Sequence, residues 1–401
     1  GFIAAGQPFS VIIESKNAYG KLTPNFGNES PRQKVQVSTE ESDIKLVYPE
    51  GGNTGSLTSG ENSATSPGIG RQQVDNIRWS EVGSIQLQAK LLGNDYLGAG
   101  DVLHRPFSST IGRFFPYNFV LDFAKAEHGC GSFTYMNQPF NISYQLVAMN
   151  ALGQQVKNYD SSLYIGTAKI GGVAQETMGV DQSARLNFPI SSWNYGVYEV
   201  FGTNNTEFMR NSSVSPDGPL SVQLGIRILP GTEIDGRNLA TINLGSDGVR
   251  LGDPQNIYFG RLQIENMGGP EDNDLPIMLN TEYWNGISFV PNILDNCTLV
   301  SPDNIYPQPL IMKTRASESI VIQVASDPNF STVSAGRSIG PGIWLTAPGV
   351  PGNGVLEYHP PSWLKYNWSG EATNFDENPQ AEFSFGQYRG NDRIIYWRHG
   401  L

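Results

Sequence analysis

The sequence predicts an all-β chain of three consecutive domains. Three observations carry that reading. Turn-forming residues are abundant, with Gly 45 and Pro 26 among 401 residues. Apolar residues alternate with polar ones in short runs, the period of a strand with one buried face. A stretch near the N-terminus recurs further on: "GQPFSVIIESKNAYGKLTPNF" from Gly6 and "NQPFNISYQLVAMNALGQQVKNY" from Asn137 share Q-P-F, a strand, N-A-x-G and N-[F/Y], with Gln7 and Gln138 at an offset of 131 residues.

The repeat justifies its own elements. Pro8 and Pro139 stand at the start of a strand, where a missing N–H costs little. Phe9, Val11 and Ile13 in one copy, and Phe140, Ile142, Tyr144 and Leu146 in the other, then face one way. Asn-Ala-x-Gly supplies the turn. This is how an immunoglobulin-like β-sandwich opens, and it predicts tandem sandwiches of that kind, three in a row. Further strands are expected at Lys34–Ser38, Ile44–Tyr48, Ser84–Leu91, Phe119–Phe123, Leu163–Ile165, Arg185–Phe188, Val197–Phe201 and Leu220–Leu229, with another at Ser319–Ser326. Each copy is expected to reach a matching Gly-Arg step, "IGRFFPYNF" from Ile111 and "FGRLQIEN" from Phe259. Gly51 to Gly70, polar and rich in Gly, Ser and Thr, reads as a mobile surface loop. The expected divisions are residues 1–118, 119–266 and 267–401, the last an acidic all-β domain.

Composition narrows the function classes. The formal net charge is −12, which argues against nucleic acid as a partner, since phosphate binding needs clustered Lys and Arg. Charged residues are 16% of the chain, so its polarity rests on Asn, Ser, Thr, Gln and Gly, a habit of extracellular β proteins. No apolar run is long enough for a membrane-spanning helix. The opening "GFIAAGQPFSV" has no initiator Met and reads as a processed or recombinant fragment of something longer, with room upstream for an export signal. Cys130 and Cys297 leave two readings open, a pair of buried thiols or one long-range bridge.

Motifs for catalysis are absent: no H-E-x-x-H, no G-x-S-x-G, no P-loop and no C-x-x-C. The chain is therefore not expected to be an enzyme, and no cofactor is expected beyond a calcium ion. For that ion the candidate ligands are Glu271, Asp272 and Asp274 in "GPEDNDLP", which offer hard oxygens at a spacing unlike an EF-hand. Trp284, Trp363 and Trp368 are candidates for stacking on a glycan, although a lone Trp in a β-sandwich is usually core.

Longer blocks add a resemblance. "FGRLQIENMGGPEDNDLPIMLNTEYWNGISFVPNILDNCT" (Phe259 to Thr298), "CGSFTYMNQPF" from Cys130 and the ending "NPQAEFSFGQYRGNDRIIYWRHGL" resemble a bacterial domain of unknown function. That domain is found at the C-terminus of MshQ-like proteins, encoded with the mannose-sensitive haemagglutinin (MSHA) type IV pilus. Departures from the pattern are Phe259 for Tyr, a loosened Asn266-Met267-Gly268-Gly269, and His399 for the final Glu. The resemblance implies a Gram-negative cell-surface protein, exported through the periplasm, that couples an adhesive module to pilus subunits or other surface proteins. Its alternative is a module that binds glycans itself. Both cysteines fall in its signature blocks, which implies that Cys130 and Cys297 are bridged. The terminal strand-like Ile394, Ile395, Tyr396 and Trp397 is the candidate docking segment, by addition of a strand to a partner's sheet.

Overall fold

A computed structural model describes residues 2–62, 70–102, 104–211, 215–338, 342–371 and 374–386. These residues form short strands, four single-turn 3-10 helices and no α-helix. The chain is all-β, a tandem of immunoglobulin-like sandwiches in which alternation buries one face of each sheet.

In the first domain, β1 (Ile3–Ala4), β3 (Ile44–Tyr48), β5 (Gly83–Leu87) and β6 (Ile111–Phe115) make one sheet, where β1 runs parallel to β6. The facing sheet holds β2 (Phe9–Glu14) and β4 (Arg71–Trp79). Val74, Ile77, Trp79, Ile85 and Phe114 fill the space between them. Part of the Gly51–Gly70 stretch belongs to this sheet: Leu57–Thr58 and Glu61–Asn62 pair with β4, and Thr54 accepts the Trp79 indole N–H. That buried indole needs an acceptor, and so ties down a segment whose composition reads as a free loop.

The second domain repeats the plan. β7 (Asn118–Ala126), β9 (Ile142–Met149) and β11 (Val197–Val200) form one sheet. The other contains β8 (Thr134–Tyr135), β10 (Ile170–Glu176), β12 (Leu220–Ile228) and β13 (Gln255–Tyr258). The repeat extends to hydrogen bonds. Ile3 pairs in parallel with Phe114, and Thr134 with Ile257. Ala5 donates to Phe115, and Met136 to Tyr258. Gly6 donates to Trp79, and Asn137 to Phe208, with φ near +78° and +65° at the two donors. Gly tolerates that left-handed geometry freely, and Asn is the next best residue for it.

This register corrects one expectation. The two Gly-Arg steps are not equivalent: Ile111–Phe115 closes domain one, whereas β14 (Gly260–Ile264) pairs with β16 (Leu279–Trp284) inside the third domain. Leu262 and Ile264 accordingly lie in the third core, ahead of residue 267. That domain also contains β15 (Met267–Gly269), β17 (Leu310–Thr314), β18 (Gly352–Tyr358) and β19 (Gln380–Phe385). β15 runs parallel to β19, as β1 does to β6. Leu163–Ile165 is a second correction, because it forms no strand. The Asp160 carbonyl accepts the N–H groups of Leu163 and Tyr164 and coils the segment into a turn.

Candidate functional site: the two domain junctions

The candidate residues fall in different places. Glu271, Asp272 and Asp274 lie between β15 and β16 without converging. Glu271 points toward Gly386, and Asp274 accepts the backbone N–H of Ala347. Among the described residues, the one close group of three potential ligands is Cys130, Asp295 and Cys297, and its two sulfurs are bonded to each other. Trp284, Trp363 and Trp368 are half-buried. Trp284 stands edge-on to Phe289, Trp368 lies against Tyr366, and Trp363 packs on the third core. Ile394, Ile395, Tyr396 and Trp397 lie outside the described residues.

Buried chemistry instead collects where domains meet. At the first junction Glu81 is only 4% exposed. Its carboxylate accepts N–H groups from Val82 (3.0 Å), Lys157 (2.8 Å) and Asn158 (3.1 Å), the last two in domain two. Burial pushes its carboxyl above the usual range, against the pull of those donors. The buried Asn158 side chain bonds both backbone groups of Asn53 and reaches the Val82 carbonyl. The Asn150–Gly153 turn seats on domain one: Ala151 donates to the Ala5 carbonyl (2.8 Å) and the Asn150 amide to Ser80 (2.9 Å). Across the same junction Arg113 makes a bidentate pair with Asp235 (2.8 and 2.9 Å) and lies 4.2 Å over the Tyr164 ring. Tyr164 donates to the Phe114 carbonyl, and Tyr48 bonds the Ile165 N–H. Ala5 and Val82, both fully buried, belong to the second domain's core.

The second junction is built at the equivalent place with the opposite charge. Trp79 and Phe208 are the matching acceptors of Gly6 and Asn137, so the residue two positions on is Glu81 in one domain and Arg210 in the next. The Arg210 guanidinium donates to the carbonyls of Gly260 (2.7 Å), Trp363 (2.5 Å), Lys365 (2.9 Å) and Phe375 (3.5 Å). It stacks 4.2 Å over Phe259. Burial lowers its pKa to about 10, which still leaves it charged at neutral pH.

Alongside, Arg261 pairs with Glu282 (2.7 Å) and lies over Phe289, Tyr366 and Trp368, so two of the candidate glycan platforms belong to this packed cluster. Deeper in, the Asp295 carboxylate, fully buried, accepts from the Tyr135 hydroxyl (2.8 Å), the Thr298 hydroxyl (2.6 Å) and the N–H groups of Cys297 and Thr298. Asn292 donates to the same Tyr135 oxygen (2.7 Å). Burial and the neighbouring Asp295 charge hold the Tyr135 hydroxyl well above its usual pKa. Beside this network Cys130 and Cys297 form a disulfide, with Cα atoms 5.7 Å apart, closing a separation of 167 residues. Cys130, Phe133 and Tyr135 precede the second repeat in sequence but lie in the third core.

Fold and junctions together define a class: a chain of immunoglobulin-like domains whose buried ionic, hydrogen-bonding and covalent groups fasten one domain to the next. Comparison with family models gives it a place. Three consecutive domains of one family match in order: DUF6701, second domain, over residues 1–75; third domain, over 81–253; and fourth domain, over 258–399. Matched over almost its whole length, the chain belongs to the DUF6701 family. No curated protein matches it in sequence. Among solved structures it is similar to InvD of Yersinia pseudotuberculosis, with 11% identity and a TM-score of 0.28, covering 89% of this chain and 90% of that one. A tandem of titin domains I9–I11 is matched at 8% identity and a TM-score of 0.24, covering 95% and 94%.

Glu81 and Arg210 escape a reading of composition and motifs, because a lone charge just past a strand reads as solvated surface. The signal that finds them is the internal repeat, followed to the residue two past the strand.

Proposed function

We propose that this chain is a stiff, covalently stapled spacer of a bacterial cell-surface protein, exported through the periplasm, and that it holds an adhesive module at a fixed distance and orientation from a type IV pilus of the MSHA kind. It acts by presenting and transmitting load, without turning over a substrate. The observation that carries this reading is the construction of the junctions. Tandem domains free to move meet through modest, rather polar surfaces. Here each boundary lends side chains to the next core and buries a keyed charge. A disulfide at the second boundary suits an oxidising compartment. The resemblance of the motif blocks to MshQ-like proteins supplies the pilus, with Ile394–Trp397 as the attachment segment on sequence grounds.

Two measurements test it. Labelling of intact cells with a membrane-impermeant reagent should reach the protein, and its confinement to the periplasm would refute a surface role. Deleting Arg393–Leu401 should abolish co-purification with pili while Ala151 and Asn158 keep their amide protection. Undiminished association of the shortened protein would refute pilus attachment through this segment.

A further inference from the structure

Domain two shows how this sandwich is completed. β9 pairs on one side with β11 and on the other with β7, a nine-residue strand that runs antiparallel to it. β2 is the equivalent of β9 in domain one. It follows the same Q-P-F, pairs with β4 as β9 does with β11, and ends in the same Asn turn. There Asn17 accepts from Tyr19 and Lys21 as Asn150 does from Leu152 and Gln154. On its other edge, among the described residues, nothing pairs with β2.

The missing neighbour is visible in the burial. Ile142, Tyr144 and Leu146 on β9 are fully buried, and Phe119, Leu121 and Ala124 on β7 pack into the same core. On β2 the corresponding inward side chains, Phe9, Val11 and Ile13, are only half-buried, and Ile12 is 59% exposed. The backbone agrees. Ser15 donates to Gly70 on the β4 side, so the alternation of an antiparallel ladder turns the N–H groups of Val11 and Ile13 to β4 and those of Ile12 and Glu14 to the open edge. A free edge beside a half-covered apolar face is a template for another strand.

We propose that the free edge of β2 is a strand-binding site, filled by an antiparallel segment of β7's length and alternating pattern carried on the same polypeptide ahead of Gly1. The source follows from the repeat. β7 leads through residues 127–133 into β8, and β8 is the equivalent of β1, so the matching strand on the same connection precedes β1. With that strand in place Phe9, Val11 and Ile13 become core.

The test uses the full chain and a version that carries the sequence of Asn118–Ala126 and a short Gly/Ser linker ahead of Gly1. Hydrogen exchange is read residue by residue. The proposal expects the Ile12 and Glu14 amides to exchange freely in the original chain and at least tenfold more slowly in the extended one, with Val11 and Ile13 little changed. A control extension with Asp at the positions of Phe119 and Leu121 should give no protection. Unchanged exchange at Ile12 and Glu14 in the extended chain overturns the proposal. So does finding those amides already protected in the original chain together with a sedimentation mass of two copies, since a second copy then occupies the edge.

Discussion

Glu81 and Arg210 solve the same problem with opposite charges. Whichever backbone groups the next domain presents must be satisfied once water is excluded. Domain two presents N–H groups, at Lys157 and Asn158, and a carboxylate accepts them. Domain three presents carbonyls, and a planar guanidinium with five donors reaches four of them. Replacing Arg210 by Ala leaves those carbonyls dry and unpaired. The expected loss is about 3 kcal/mol in urea unfolding, since each orphaned buried group costs on the order of 1–3 kcal/mol and relaxation recovers part. A loss below the error of the measurement would mean that water reaches the site.

Glu81 carries a pH dependence of definite sign. Its folded-state pKa is raised by burial, so the folded chain holds this proton more tightly than the unfolded one. Its contribution to stability therefore falls as pH rises from the unfolded value toward the raised folded value, and stays lower above it. Unfolding free energies of the native chain minus those of Glu81→Gln, taken from pH 4 to pH 8, should decline with pH over that window. A rising difference would mean that the three N–H donors outweigh the burial.

At the scale of elements, the seating of the Asn150–Gly153 turn distinguishes two otherwise identical hairpin ends. Ala151 spends its N–H on the Ala5 carbonyl of the neighbouring domain, whereas Ala18, at the same place in the first copy, is exposed. Ala151→Pro should thus cost about 1–2 kcal/mol through the lost hydrogen bond, and Ala18→Pro should cost little. Equal losses in thermal unfolding would place the effect in the turn itself rather than in the junction. Such elements were largely readable beforehand: Ile44–Tyr48 is a strand over the expected residues, and Leu220–Leu229 differs by one at its end. Runs of β-branched and aromatic residues bounded by turn formers leave little else for the backbone to do. Leu163–Ile165 has that composition but is coiled by the Asp160 carbonyl, a contact with no signature in the run itself. The Gly-Arg steps misled because two residues identify a register poorly, whereas parallel pairing fixes it. Of the junction chemistry, the cysteine pair was foreshadowed by family blocks. The keyed charges were hidden, since their partners are backbone groups far along the chain.

For the whole molecule the question is whether three domains behave as one body. The second boundary is the one to perturb, because its lock has a covalent part that a pair of near-isosteric substitutions removes. Opening the Cys130–Cys297 loop restores the unfolded chain's freedom over 167 residues of separation, worth up to about 5 kcal/mol in the chain-entropy view. The buried Asp295–Tyr135–Asn292 network would remain beside the opened bridge. Cys130→Ser with Cys297→Ser should therefore lower the urea midpoint of the third domain and expose the backbone amides of positions 297 and 298, which donate to Asp295, to exchange. Ala151 and Asn158 should keep their protection, because their acceptors, the Ala5 carbonyl and the Glu81 carboxylate, belong to the first junction. Loss of protection at both junctions together would show that load on one boundary reaches the other, and that the chain yields as a single unit rather than one domain at a time.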